Sequence, residues 1–377
     1  MKIIGIIAEY NPFHNGHLYQ IQKIKELYPD SLIIAIISTN FTERGELSLL
    51  NKWDKTKICL DNNIDLVIEL PTLYATQSAD MFAYGAINIL NSLKIDTLVF
   101  GTESDNLDEL KTLASIQINN KEYDNLVKNY LDKGINYPTA MSNALFDITK
   151  IKIAKPNDLL ALSYIKEIIK NNYKITPINI KRTNDYHSKK IKSNIVNASL
   201  IRELIKDGKD ISKYVPDITN RYLNKDITLE NAFNLLRYSI LINKDNLNDI
   251  LTIDEGIENR ILKQINRSKN YQELVMNIKT KRYTYNKINR MLIHILLGYK
   301  KIDNTKETYL RILGFNQKGR NYLNLIKKEI NIPIFTSYKP NKSSILDLEL
   351  KSTYIYSLII NDYSQVEKEY KNKPIIK

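Results

Sequence analysis

The 377-residue chain is 43% hydrophobic and 26% charged, the balance of an ordinary globular protein, long enough for two or three domains and a core that needs no staples. One cysteine, Cys59, excludes an internal disulfide framework, a zinc ribbon and a Cys-held cluster, and fits a reducing, cytoplasmic setting. No apolar stretch nears the roughly 20 residues that cross a bilayer, and the first apolar run is cut by Glu9, too short for a signal-peptide core, so no membrane association is expected.

The apolar runs 2–8 (KIIGIIA) and 32–38 (LIIAIIS) read as buried parallel strands, followed by strands at 65–69 and 96–100. Helices are expected at 17–27, 49–60 and 78–93, the last capped by Ser78. Alternating strands and helices predict an α/β fold with a Rossmann-like parallel sheet. A mostly helical stretch at 105–171 leads to a fifth strand at 174–180, a polar loop at 182–194 and a helix opening at Ala198. A domain boundary is expected near 208–220, dividing the chain into 1–210 and a mainly helical, basic 211–377. Helices are expected there at 228–242, 255–266, 283–297 and 343–361, with a strand at 331–336.

Charge is divided unevenly. Residues 1–150 carry 13 Lys/Arg against 19 Asp/Glu, a net of −6, whereas residues 151–377 carry 42 against 23, a net of +19. A basic region rich in Tyr suits a polyanion such as RNA, since Tyr faces stack on bases and cations hold phosphates. An AT-rich genome would also give much Lys, Asn, Ile and Tyr. Candidate phosphate contacts are Lys279, Lys281, Arg282, Lys287, Arg290, Lys318 and Arg320.

The stretch Glu9 to His17 (EYNPFHNGH) follows the first strand and opens the first helix. Open parallel sheets bind ligands at the carboxyl ends of their strands. His14 and His17 fit that crevice, and Gly16 leaves room for a nucleotide to approach the backbone. A helix N-terminus offers N–H groups to anions. Imidazoles suit phosphoryl or nucleotidyl transfer, which needs positioning and charge stabilisation rather than a nucleophile. A zinc site is disfavoured, because His-x-x-His lacks the i, i+4 spacing and the intervening Glu.

His14-Asn15-Gly16-His17 resembles the H-x-G-H signature of the nucleotidylyl-transferase superfamily, and the longer string Ala8 to His17 is similar to one family, the bacterial tRNA(Met) cytidine acetate ligases. The resemblance continues through 41–46 with Lys52-Trp53, 67–71, 74–79, 100–103, 156–158, 180–182, 198–202 and 282–285 with 290–292. It implies a HIGH-type nucleotidyltransferase domain that makes acetyl-adenylate from acetate and ATP. The acetyl group then passes to N4 of the wobble cytidine of elongator tRNA(Met). The resemblance assigns ATP binding to Ile7, Ala8, Glu9, Tyr10, Asn11, Pro12, Phe13, His14, Asn15, Gly16, His17, Leu18, Tyr19 and Gln20, completed by Gly101, Asn157 and Arg182. His14 and His17 would be catalytic, and Ser199, in a second signature-like run at a helix start, would hold the departing pyrophosphate.

Several of these residues also have plainer readings. Gly101 suits a turn, Asn157 and Ser199 suit helix caps, and Arg182 suits a surface charge. Arg44 and Lys52 sit in and after a polar loop able to close over the site, but as lone basic residues they read first as surface charges, and Glu9 is expected to hydrogen-bond within its loop. Mg²⁺ is expected only on ATP, and no stable protein partner is inferred. Two other readings remain at this point, a small-molecule adenylyltransferase and a non-catalytic RNA-binding protein.

Overall fold

A computed structural model describes residues 1–182, 194–224 and 226–377, so the polar loop expected at 182–194 lies almost wholly outside the described residues. Strand β1 (Ile3–Ala8) leads into helix α1 (Asn15–Leu27), β2 (Leu32–Ser38) into α2 (Lys52–Asp61), and β3 (Leu66–Leu70) into α3 (Thr72–Ala75) and α4 (Ala79–Ser92). After β4 (Thr97–Thr102) come α5 (Leu107–Asn119), α6 (Lys121–Asp132), α7 (Tyr137–Thr149) and α8 (Pro156–Lys170), then β5 (Thr176–Lys181), α9 (Ala198–Lys206) and α10 (Asp217–Tyr222). A helical region follows, α11 (Phe233–Ile242), α12 (Ile257–Ile265), α13 (Tyr271–Ile278) and α14 (Tyr285–Leu297). The chain then returns through β6 (Leu310–Phe315), α15 (Gln317–Ile326), β7 (Ile334–Phe335), α16 (Ser344–Ile360), α17 (Ser364–Lys371) and β8 (Ile375–Ile376).

The sheet order is β5-β4-β1-β2-β3-β6-β7, with β8 also on β6. β1 to β5 are mutually parallel and β6 runs antiparallel to β3. β2 shows why the sheet is central. Leu32, Ile34 and Ile36 pack into the apolar cluster that includes α4, α5 and α8, while Ile33, Ala35 and Ile37 pack into the one that includes α1 and α2. Both faces are covered, which is why the strand reads as an unbroken apolar run. Each such side chain contributes about 1.5–3 kcal/mol when fully buried.

Two helix starts differ from expectation for a capping reason. α1 begins at Asn15 because His14 caps it. α2 begins at Lys52 because the Asn51 carboxamide accepts the N–H groups of Trp53 and Asp54, both at 3.0 Å. Residues 211–377 are mainly helical, as expected, yet β6, β7 and β8 join the same sheet as β1 to β5.

The join is held by buried charge. Lys52 Nζ meets Glu69 at 2.6 Å, Glu349 at 3.1 Å and Glu369 at 2.6 Å, and Arg311 of β6 pairs with Glu369 at 2.6 Å. Lys52 is therefore an interior residue that ties α2 and β3 to α16 and α17, which corrects its reading as a surface charge beside a closing loop. Among the described residues no helix is long and apolar enough to cross a membrane.

Candidate functional site

Parallel pairing puts the carboxyl ends of β1, β2, β4 and β5 along one edge of the sheet. A cavity of about 810 Å³ opens there, lined by the β1 end, loop 43–46, the first turns of α4, α7 and α8, the start of α9, and the helical region at 252–254 and 282–290. A smaller one of about 60 Å³ adjoins it, lined by His14, Gly16, His17, Tyr19, Gln20, Gly101, Arg182 and neighbours.

His14 Nδ1 accepts the Gly16 N–H at 3.0 Å, and His17 Nδ1 accepts the His14 N–H at 3.2 Å. The two rings stack 3.8 Å apart. With both Nδ1 atoms accepting, each neutral ring carries its proton on Nε2, the donor it has left. Burial, helped by Arg182 and Arg202, pulls His14 down to about 3. Burial, helped by His14 and Arg182, pulls His17 well below its usual range. Both rings are therefore neutral donors at pH 7.

The opening turn of α1 is already occupied. Asn15 N–H donates to the Tyr214 carbonyl at 3.0 Å, and His17 N–H to the His14 carbonyl at 2.8 Å. The expectation of free N–H groups for an anion is corrected: the donors available here are side chains. The reason for Gly16 also changes, since a Cβ there would stand 2.7 Å from His14 Cε1. Gly101 likewise makes room for a neighbour, because its Cβ would stand 3.3 Å from Arg182 Cγ.

Of the residues the sequence singled out, Ile7, Ala8, Glu9, Tyr10, Asn11, His14, His17, Gln20, Gly101, Asn157, Arg182 and Ser199 line the larger cavity, and Gly16 and Tyr19 the smaller. Pro12, Phe13, Asn15 and Leu18 line neither. Phe13 is core, and the Asn15 carboxamide clamps the Asn194 and Lys213 carbonyls, both at 3.0 Å.

Arg182 is mostly buried, and among the described residues its Nε meets no hydrogen-bond partner, which suits a guanidinium that takes an anion. Asn157 is not a cap, since Lys155 takes that position; its amide donates to Glu103 at 2.6 Å. Ser199 is not a cap either. Asn197 caps α9, and Ser199 Oγ stands 3.4 Å from Arg202 Nη2.

Glu9 bonds outside its own loop, accepting the Glu43 N–H at 2.6 Å, and burial raises its pKa. Lys55, which sequence reasoning missed, donates to the carbonyls of Glu9, Ser38 and Thr39 at 2.7, 2.8 and 3.3 Å and so ties the ends of β1 and β2 together. Burial lowers it to about 7. Glu43 is raised to about 7 by burial, against the pull of Arg290.

The basic candidates separate into two places. Arg282, Lys287 and Arg290 line the cavity. Arg290 Nη1 pairs with Glu43 at 2.6 Å, Arg282 Nη2 with Glu255 at 2.7 Å, and Lys287 Nζ lies 4.9 Å above the Tyr283 ring. Lys281 is exposed beside them, and Lys279 Nζ sits over the Tyr285 ring. Lys318 instead reaches the carbonyls of Asp30 and Ser31 at 3.1 and 2.7 Å, just before β2. With Arg320 on the same helix, it stands at the opposite end of the sheet, away from the other five.

Three carboxylates of the cleft are engaged, Glu9 with the Glu43 N–H, Glu43 with Arg290 and Glu46 with Arg202. Among the described residues no group of three or more His, Cys, Asp or Glu is placed to hold a metal.

The family model for HIGH Nucleotidyl Transferase matches residues 1–371. The chain is 37% identical over 399 residues to the tRNA(Met) cytidine acetate ligase of Clostridium novyi (strain NT), spanning 100% of this chain and 99% of that protein. It is 38% identical over 394 residues to that of Caldicellulosiruptor saccharolyticus, spanning 100% and 98%. Among solved structures it is similar to apo Thermotoga maritima TmcAL, with TM-score 0.91 and 29% identity over 100% of this chain and 99% of that one. The form of that protein bound with alpha-thio ATP gives TM-score 0.90 at the same identity and coverage.

Proposed function

The chain belongs to the HIGH nucleotidyl transferases and, within them, to the family of the tRNA(Met) cytidine acetate ligases; from that membership we propose that it activates acetate with ATP and acetylates N4 of the wobble cytidine of elongator tRNA(Met). It is an ATP-dependent ligase that forms a carbon–nitrogen bond. The observation that carries the reading is the pair of neutral imidazoles at the end of β1, with Arg182 and Arg202 on the same cavity as Arg282, Lys287 and Arg290.

In the first half-reaction an acetate oxygen attacks the α-phosphorus of ATP and pyrophosphate leaves. Charge builds on phosphate oxygens, and the Nε2–H groups of His14 and His17 with the Arg182 guanidinium are the donors that meet it. Ser199 and Arg202, at the start of α9, are assigned to the leaving pyrophosphate. Arg202 also bonds the Asn11 carbonyl at 2.8 Å and pairs with Glu46 at 2.9 Å, so it locks the β1 loop, loop 41–47 and α9 together. Mg²⁺ arrives on the ATP phosphates. In the second half-reaction the basic wall at 281–290 holds the anticodon arm by its phosphates, and the cytosine enters a loop site where unstacking costs little. The activity belongs in the cytoplasm, where tRNA and ATP are available.

The test is direct. The purified chain with ATP, labelled acetate and total tRNA places label on elongator tRNA(Met), recovered after digestion as N4-acetylcytidine. Label on no RNA, with AMP moved to a small molecule, makes it a small-molecule adenylyltransferase instead.

A further inference from the structure

The larger cavity extends past the histidines into a recess between the first turns of α4, α7 and α8. Its walls are apolar and largely aromatic, including Phe82, Phe100, Met141, Leu160 and Tyr164. The Phe100 and Tyr164 rings pack 5.9 Å apart. The Asp80 carboxylate, in the first turn of α4, stands in this recess with its side chain 31% exposed. Its two oxygens differ. Oδ1 is held by the Lys166 ammonium and lies 3.3 Å from the Ser163 hydroxyl. Among the described residues Oδ2 faces only the Tyr137 hydroxyl, which donates at the long distance of 3.5 Å. The carboxylate is thus fixed through one oxygen and open to a ligand through the other.

A carboxylate in a cavity that takes a triphosphate repels phosphate, so this recess does not suit the phosphate chain. Its chemistry suits a flat base with an exocyclic amine. Aromatic and aliphatic faces flank the ring, and a carboxylate oxygen accepts from cytosine N4. We propose that this recess is the cytosine site and that Asp80 is the catalytic residue that orients N4 and takes its proton. The inference rests on the function proposed above and names the residue for its second half-reaction. N4 attacks the acetyl carbonyl carbon of acetyl-adenylate. The N–C bond forms, the C–O bond to AMP breaks, AMP leaves with the bonding pair, and the surplus N4 proton passes to Asp80 Oδ2. Lys166 stays on Oδ1 throughout.

Two readouts on the same full-length preparations test this. Acetate-dependent ATP–pyrophosphate exchange reports the first half-reaction and the integrity of the fold. Single-turnover transfer of labelled acetate to an elongator tRNA(Met) transcript reports the second. Asp80→Asn keeps exchange within about twofold of wild type and slows transfer by about 10²-fold or more. Asp80→Glu restores part of that loss. Leu160→Trp, which fills the recess, also loses transfer and keeps exchange. Transfer by Asp80→Asn at the wild-type rate overturns the inference, as does loss of exchange in step with transfer. A wild-type chain that acetylates no RNA overturns the proposed function, and this inference with it, on the unmutated protein alone.

Discussion

At His14 one ring has two duties, which substitution can separate. Nδ1 caps α1 through the Gly16 N–H, and Nε2–H is the donor assigned to the phosphates. Asparagine is among the best caps, and its shorter side chain brings no N–H to the place where Nε2 stands. His14→Asn should therefore keep the fold, while acetate-dependent pyrophosphate exchange falls about 10²- to 10³-fold, the cost of removing one charge-stabilising donor. His14→Ala should lose activity to the same degree and also about 1 kcal/mol of stability in denaturant unfolding. Exchange at the wild-type rate in His14→Asn would refute the donor role. The histidine pair, Gly101 and Arg182 were legible in the sequence because each stands at a strand end or in a short signature. Asp80, Lys55 and Glu43 were not. Each is an ordinary polar residue until the fold supplies its neighbours, and the partner of Glu43 is 247 residues away. The glycines were legible as cleft residues, but what they make room for was not, since it is a protein side chain in both cases.

The element that links the two parts of the cleft is the hairpin 41–47, closed by the Phe41–Leu47 bridge and presenting Glu43, Arg44 and Glu46 to the cavity. At its tip Gly45 has φ +68° and presses on α14, where a Cβ would stand 2.6 Å from the Arg290 backbone nitrogen. Backbone strain and contact act together there. Gly45→Ala should cost about 1–3 kcal/mol and move Arg290 away from Glu43, lowering tRNA acetylation more than a surface control such as Lys121→Ala. An unchanged melting temperature and rate would mean that the hairpin does not depend on this contact. The parallel strands were legible because short apolar runs, unbroken in β1 and β2 and alternating with polar residues in β5, take turns with amphipathic helices. β6 was not, because Arg311 interrupts its run; the strand is buried only because Glu369 and Glu69 lie against that guanidinium. α15 and α17 are short and polar on balance, with few apolar residues to mark their buried faces, and they were missed with it.

Across the whole molecule, net charge says less than where the charge sits. Arg282 and Lys287 share the cavity, whereas Lys318 lies at the other end of the sheet with its ammonium on backbone carbonyls. Each phosphate that a substitution leaves without its cation flattens the dependence of log K on log salt by roughly 0.7–0.9. Arg282→Gln with Lys287→Gln should therefore reduce the tRNA salt slope by about 1.5, and Lys318→Gln should leave it unchanged. Equal slopes in all three proteins would remove this wall from the tRNA surface. The same separation of places governs acid stability. His294 of α14 is fully buried between Thr76, at 3.0 Å from Nε2, and Thr252, at 3.0 Å from Nδ1, so it joins the segment before α4 to the far wall of the cleft. Burial lowers it to about 4. In the unfolded chain it titrates near 6.5, so below that pH the unfolded state takes up a proton the native state refuses. Stability is then whole above pH 6.5 and is lost as pH falls toward 4, by about 1 kcal/mol for this group at pH 5.5. His14 and His17 act in the same direction. In urea unfolding, the loss of stability between pH 7.5 and 5.5 should be smaller in His294→Gln than in wild type by about 1 kcal/mol. An equal loss in both proteins would mean that His294 is already protonated in the native state, with its two threonines reorganised around the charge.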